Sequence, residues 1–403
     1  MSKVPRKFVL LAICGLSLCL AVSGIGLAVQ DGDSQATIRT NADTTNYLQP
    51  AETTGQQYQE VSIDVAAALD SSAQELHTAA EMRSFDRQLQ FASDLDRRVE
   101  IAKQRLAVVE RRYRSIDQRR ATLFEQYSAG ELSATALASE LVRLKTAVET
   151  QEQYRARIDS EVFDDTSASP ATEFLQDFES LEQSMTVRQP VTDRLRTAMI
   201  GSRDPIVVYT NTAADALVLA TIDGNTYYRQ ATVRAERNLA GDDQFVDGFR
   251  SAYNRIETLY PWVLSSSNLQ LSPLELRRFS QVYAIRAVHS HGEMTMYLDG
   301  ATRNVFHETH RKPLTVQPVS ATVTSQNDSL NVTAQFTNRA GPMQLRVRNL
   351  AGVPVEDADV AVDGMSVGRT DAEGELWLVQ PAEGSEIGIS TAANESVSVA
   401  VPG

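Results

Sequence analysis

Apolar positions along this chain follow three different periods, and the changes of period divide it. Phe8 to Val29 is one unbroken apolar run behind the basic residues Lys3, Arg6 and Lys7. That order reads as an export signal or a membrane anchor over residues 1–30, and the run is long enough to span a bilayer. Residues 31–56 are polar, with Pro50 and Gly55 as breakers, and read as a linker. From Val61 to Val162 there is no proline and a single glycine, Gly130. Here Leu95, Val99, Ala102, Leu106, Val109, Tyr113, Ile116, Arg120, Leu123 and Tyr127 alternate by four and three, the seam of a helix that faces another helix.

A second track runs through Leu137, Leu141, Leu144, Val148, Gln151, Arg155, Ile158 and Val162. Gly130 can end the first helix and Ser133 can cap the second, which predicts an antiparallel hairpin or coiled coil over residues 57–163. Tyr127 is then expected near Leu137, Leu123 near Leu141 and Ile116 near Val148. Arg120, Gln151 and Arg155 would fix the register. A preceding helix from Val61 to Met82 offers Val65, Leu69, Leu76 and Ala79 as a third strand of the bundle.

After a break at residues 163–170, helices are expected at Ala171 to Met185 and Val191 to Ile200, and then the period changes to that of strands. Pro205 to Tyr209, Ala216 to Ile222 and Thr226 to Arg234 are β-branched, aromatic and bounded by turns. Leu219 to Thr226 (LATIDGNT) matches Thr295 to Thr302 (TMYLDGAT), and Asp-Gly near Thr is a hairpin signal. Helices from Gln244 to Tyr260 and from Ser272 onward lie between. Two similar α+β units over residues 170–313 follow, and on hairpins and helix order alone they resemble PepSY-type modules, from which no activity carries over. Residues 314–403 alternate as a small antiparallel β-sandwich.

Composition places the protein more firmly than it explains it. The only cysteines, Cys14 and Cys19, lie inside the apolar run, so the body works without disulfides outside the cytoplasm. The net charge is −14, and residues 1–30 hold three positive charges and no negative one, so the body is more acidic still. An acidic surface repels nucleic acid and anionic headgroups, which excludes a nucleic-acid partner. No Gly-x-Ser-x-Gly, His-Glu-x-x-His or phosphate-binding glycine loop is present, so neither an enzyme nor a cofactor is expected.

Four of the five histidines, His289, His291, His307 and His310, fall in one short stretch, with Glu293 and Glu308 nearby. A hairpin about Asp299-Gly300 would return the second pair beside the first, a constellation able to hold zinc or a similar ion. His307 and His310, three apart, would point to opposite faces of a strand, so at most three can converge. Asn327, Asn331 and Asn394 head Asn-x-Ser/Thr sequons and are candidate glycosylation sites.

Two resemblances add to this reading. Gly352-x-Pro354-Val355, Ala358-x-Val360 and Thr370-Asp371-x-x-Gly374 resemble the carboxypeptidase regulatory-like, transthyretin-like fold, which implies a non-catalytic spacer or binding module. The order of signal, Thr45-Asn46-Tyr47-Leu48 lead-in, helical hairpin with Tyr127-x-x-Gly130-Glu131-Leu132-Ser133, Asp-Gly-x-Thr hairpins, Pro261-Trp262 and C-terminal sandwich resembles uncharacterised exported proteins of haloarchaea. The expectation is an extracytoplasmic, cell-surface interaction or scaffold protein, membrane-anchored or secreted. Its partners would be proteins or cell-surface glycans, the membrane if the N-terminal segment is kept, and a second copy through the hairpin. The alternatives are a regulatory partner of an exported or membrane enzyme, and a metal-binding protein or metal-dependent enzyme built on the histidines.

Overall fold

The computed structural model describes residues 38–39, 47–50, 53–163, 179, 181–266, 268–274, 281–338 and 341–401. Phe8 to Val29, the break after residue 163 and most of the helix expected from Ala171 lie outside them.

The lead-in is more than a spacer. Strands β1 (Ile38–Arg39) and β2 (Tyr47–Leu48) pair antiparallel, with Ile38 opposite Leu48, and Tyr47 and Leu48 are buried. Strand β3 (Gly55–Val61) then joins the central sheet, so residues 55–61 belong neither to a linker ending at 56 nor to a helical region starting at 57. Three residues past the strand, Asp64 starts helix α1 (Val65–Gln90), its side chain accepting from Ala67 N at 3.0 Å as an N-cap. Asp94 caps α2 (Leu95–Ser128) in the same way and Ser133 caps α3 (Ala134–Ile158). Between α2 and α3 the chain reverses at Gly130, whose φ of 74° is the left-handed conformation that ends helices.

Helices α2 and α3 pack as the sequence pattern requires. Leu123 shares an apolar cluster with Leu137 and Leu141, and Ile116 shares the next with Val148. Of the seam's polar residues, Gln151 and Arg155 are buried and Arg120 is partly so: Gln151 lies beside Arg112, and Arg155 pairs with Asp159 at 2.9 Å. Helix α1 departs from expectation. Val65, Leu69 and Leu76 are 65–73 % exposed, while Ala67, Ser71, Thr78, Phe85 and Leu89 face inward. Both tracks have helical spacing, two residues out of phase. The small residues of the second let α1 approach α3 closely, Ser71 Oγ lying 3.4 Å from Thr146 Oγ1, and Phe85 supplies the large anchor.

The centre is one antiparallel sheet. Helix α4 (Pro190–Met199) leads into β4 (Ile206–Ala213), β5 (Ala216–Asp223) and β6 (Thr226–Val233). Helices α5 (Phe249–Leu259) and α6 (Pro261–Ser265) precede β7 (Gln270–Pro273), β8 (Val282–His289), β9 (Gly292–Asp299) and β10 (Val305–Pro313). Pro261 opens a second short helix, since a proline at the first helical position forfeits no hydrogen bond. Ser272-Pro273 lies in the edge strand β7, not at a helix start.

The strand order is β3-β4-β5-β6-β10-β9-β8-β7. The two similar hairpins are therefore the second turns of two three-stranded meanders, fused through β6 and β10 into a single sheet. One face carries α3 and α4 on Val208, Leu217, Leu219 and Tyr228, and the Gln230 side chain accepts from Val191 N and Thr192 N in the first turn of α4. The opposite face is covered at one end by α5 and α6 and at the other by the C-terminal module.

That module is a sandwich of two four-stranded sheets. One contains β11 (Ala321–Gln326), β12 (Leu330–Phe336) and β13 (Pro342–Asn349), followed in space by β16 (Glu375–Val379). The other runs β15 (Met365–Arg369), β14 (Asp359–Val362), β17 (Glu386–Ser390), β18 (Ser396–Ala400). Gly374 has φ 71°, and a Cβ there would lie 2.5 Å from Val347 O, which explains a glycine at the end of Thr370-Asp371-x-x-Gly374. The sandwich core is continuous with Tyr58, Tyr209, Ala220 and Tyr227 of the central sheet, and Tyr58 Oη donates to Val379 O at 2.8 Å.

Candidate functional site

The richest collection of buried titratable groups lies at the middle of the central sheet, on the face that carries α5 and α6. Strand alternation puts Glu308, His310 and Lys312 of β10 on that face, and the β10–β6 register sets His310 opposite Arg229. All four are at most 3 % exposed. Glu308 accepts from Arg229 Nη1 at 3.0 Å, Tyr260 Oη at 2.5 Å, Leu48 N at 3.1 Å and His310 Nε2 at 2.6 Å.

Burial alone would raise the Glu308 carboxyl, but His310 first, then Arg229 and the Tyr260 hydroxyl, outweigh it and hold its pKa down at about 2. The carboxylate is ionised and paired. Burial lowers His310 to about 4. A neutral ring with its proton on Nε2 satisfies the bond to Glu308 and leaves at Nδ1 only a lone pair, which meets no donor among the described residues.

The strap β2 closes the network from above. Arg229 Nη2 donates to Leu48 O at 2.5 Å while Leu48 N reaches Glu308, so one backbone residue bridges the ion pair. The Tyr47 ring sits 5.0 Å from the His310 ring and 6.2 Å from Trp262, with Lys312 Nζ 4.8 Å from its centroid. Lys312 Nζ also donates to Tyr47 Oη at 2.8 Å. A lysine buried against a neutral phenol loses much of its reason to stay charged, and burial followed by nearby Arg229 brings its pKa down to about 7.

The four histidines do not form one constellation. His289, at the end of β8, is buried against Trp262 at 5.3 Å and accepts at Nδ1 from His291 N at 3.3 Å. Burial, then the charges of Lys312 and His310, bring it down to about 3, so it shares a neighbourhood with His310. His291 is half-buried in the adjoining turn. His307 lies on the other face, held between Thr232 Oγ1 and Arg188 O, each at 2.8 Å. A bulge in β10 between Val305 and His307 turns Phe306 toward that same face. Glu293 pairs with Arg286 at 2.6 Å, away from His310. Among the described residues no three His, Cys, Asp or Glu side chains are grouped as metal ligands.

Of the sequons, Asn394 is exposed at the β17–β18 turn. Asn327 spends its side chain within the fold, Nδ2 donating to Ser396 O at 2.6 Å and Oδ1 accepting from Ser329 N and Leu330 N. Asn331 is half-buried within β12.

Sequence reasoning located His310 and Glu308 but missed Arg229, Tyr260, Lys312 and Tyr47 as their partners. Two signals were legible: an apolar pair, Tyr47-Leu48, in an otherwise polar lead-in, and a lysine in a chain that uses arginine almost throughout.

Three family models match the chain. Residues 8–204 match a domain of unknown function (DUF7096), residues 208–318 a family of unknown function (DUF7094), and residues 321–399 an archaeal fibronectin-III type-like domain. The boundaries fall at the starts of β4 and β11. The C-terminal match is to a fibronectin-type sandwich, where the short motifs had resembled the carboxypeptidase regulatory-like fold. No curated protein and no solved structure matches.

Proposed function

We propose that this chain is an extracytoplasmic cell-surface interaction or scaffold protein without catalytic activity, of the exported haloarchaeal kind its domain order resembles. In this reading Phe8 to Val29 exports the body or holds it at the membrane. The observation that carries it is the closure of the Glu308 network. Glu308 has four donors, its neighbours are buried, and Tyr47-Leu48 lies across them, so the groups best suited to chemistry hold the fold together. The fibronectin-type match adds support, since sandwiches of this architecture recur in cell-surface domains.

Proteins and cell-surface glycans are the partner classes, and the exposed apolar stripe Ile63, Val65, Leu69 and Leu76 favours a protein. That stripe also supports the second reading, a regulatory partner of an exported or membrane enzyme. The test is digestion of intact cells by a protease that cannot enter them, followed with an antibody to the sandwich. Loss of the sandwich signal before lysis is expected. Survival of the signal until the cells are broken would overturn the placement outside the membrane.

A further inference from the structure

Helices α1 and α2 both lie on α3, and near the turn that joins them their facing sides leave an open groove. Four arginines line it, Arg87 on α1 and Arg97, Arg105 and Arg111 on α2, and so does Phe91, the residue that ends α1, which is 86 % exposed. Two bonds tie the helices across the gap: Arg105 Nη2 donates to Gln88 Oε1 at 3.0 Å, and Arg112 takes Glu81 as a fork at 2.6 and 2.7 Å. Arg87, Arg97 and Arg111 are exposed and form no salt bridge among the described residues.

The side of α2 that lines the groove repeats by four and three, as its buried seam on α3 does: Arg97, Ile101, Gln104, Val108, Arg111. Ser84, Gln88 and Phe91 have the same spacing on α1. A further helix seats on such a surface, its apolar side chains against Phe91, Ile101 and Val108 and its charged ones against the rim. Arg97 and Arg111 stand two heptads apart, about 21 Å along the helix at 1.5 Å per residue. Their track reads alike in both directions about Gln104. A second copy laid in register on this groove, parallel or antiparallel, therefore sets arginine against arginine, and the complementary occupant carries carboxylates.

We infer that this groove binds an acidic amphipathic helix of a partner protein, with Arg97 and Arg111 paired to carboxylates two heptads apart and Phe91 packed on its apolar seam. Arginine and exposed aromatic side chains are the residues that carry binding energy at protein interfaces. The apolar positions between the arginines favour a helix over an anionic glycan, which needs charge but no seam. Guanidinium–carboxylate forks close to about 2.7–2.9 Å, inside the screening length of about 3 Å in 1 M salt, so the pairing weakens in concentrated salt without vanishing. The assignment rests on the interaction role proposed above and gives its partner a chemistry.

The test uses the purified protein and a labelled synthetic helical peptide with leucine at its seam positions and glutamate flanking them, followed by fluorescence anisotropy. Saturable binding is expected, tighter in low than in molar salt, with none for the counterpart in which lysine replaces glutamate. Arg97→Gln with Arg111→Gln changes two exposed side chains and is expected to melt like the parent while binding the acidic peptide about tenfold or more weakly. No saturable binding of the acidic peptide, equal binding of both peptides, or undiminished binding by the double variant would overturn the assignment. Tighter binding of dextran sulfate than of the peptide would replace the helix with a glycan, and a dimer that the peptide dissociates in sedimentation would replace it with a second copy. Binding seen only after Asp164→Asn with Asp165→Asn would give the groove to the chain's own acidic stretch. Since all of these are read on purified protein, their failure leaves the protease test of surface placement standing.

Discussion

Lys312 decides how this protein answers to pH on the alkaline side. Its folded pKa of about 7 lies below the unfolded value near 10.4, so the unfolded chain binds the extra proton between those limits. Stability therefore rises with pH from about 7 to 10, and the penalty is complete below 7. His289, His307 and His310, depressed to about 3, 4 and 4 from about 6.5, act in the same sense lower down, where stability falls as pH drops from 6.5 toward 4. Melting temperatures are expected in the order pH 9, 7, 5. Lys312→Met should flatten the upper part, and an unchanged slope between 7 and 9 in that variant would refute the assignment. Glu308→Gln is harsher, because it leaves Arg229 buried without a counter-charge, a loss of about 3–5 kcal/mol by urea denaturation.

At the scale of elements, periodicity identified helices and strands well but could not choose between faces of α1. Val65, Leu69 and Leu76 have the right spacing, yet Phe85 beyond the expected end of the helix sets which side goes in. Phe85→Ala is expected to cost about 3–5 kcal/mol in chemical denaturation. Leu69→Gln with Leu76→Gln should change stability by less than about 1 kcal/mol while weakening any self-association seen by sedimentation, and no change in a dimer's strength would remove α1 from that contact. The facing of α2 on α3 was legible because both seams are continuous over many turns. The candidate site was half legible: His310 and Glu308 stand two apart on one strand, but Arg229, Tyr260 and Tyr47 reach them only through pairings that sequence spacing does not carry.

For the whole molecule, the unexpected feature is continuity. The two hairpin units read from the sequence merge into one sheet, and the sandwich core runs into that sheet through Tyr58, Tyr209 and Tyr227. Tyr58→Phe deletes the bond to Val379 O and is expected to cost about 1 kcal/mol. The sandwich and the sheet should melt in one transition in the parent, and calorimetry resolving two transitions would show them to be independent. Sequence divides a chain where its periods change, whereas packing joins whatever apolar faces remain uncovered, which is why the expected boundaries at 57 and 170 miss β3.

The strap across the Glu308 network also sets a clock. Leu48 is anchored by Glu308, 260 positions further along the chain. At about 5–20 residues per second, on the order of 10–50 s of synthesis separates the two. Until β10 exists Tyr47 has no lysine to meet and Leu48 no carboxylate, so the residues made among the first are among the last to reach their place. A chain cut short before residue 308 would lack both the carboxylate that holds Leu48 and the lysine that meets Tyr47, so every unfinished copy would have its strap short of those two anchors.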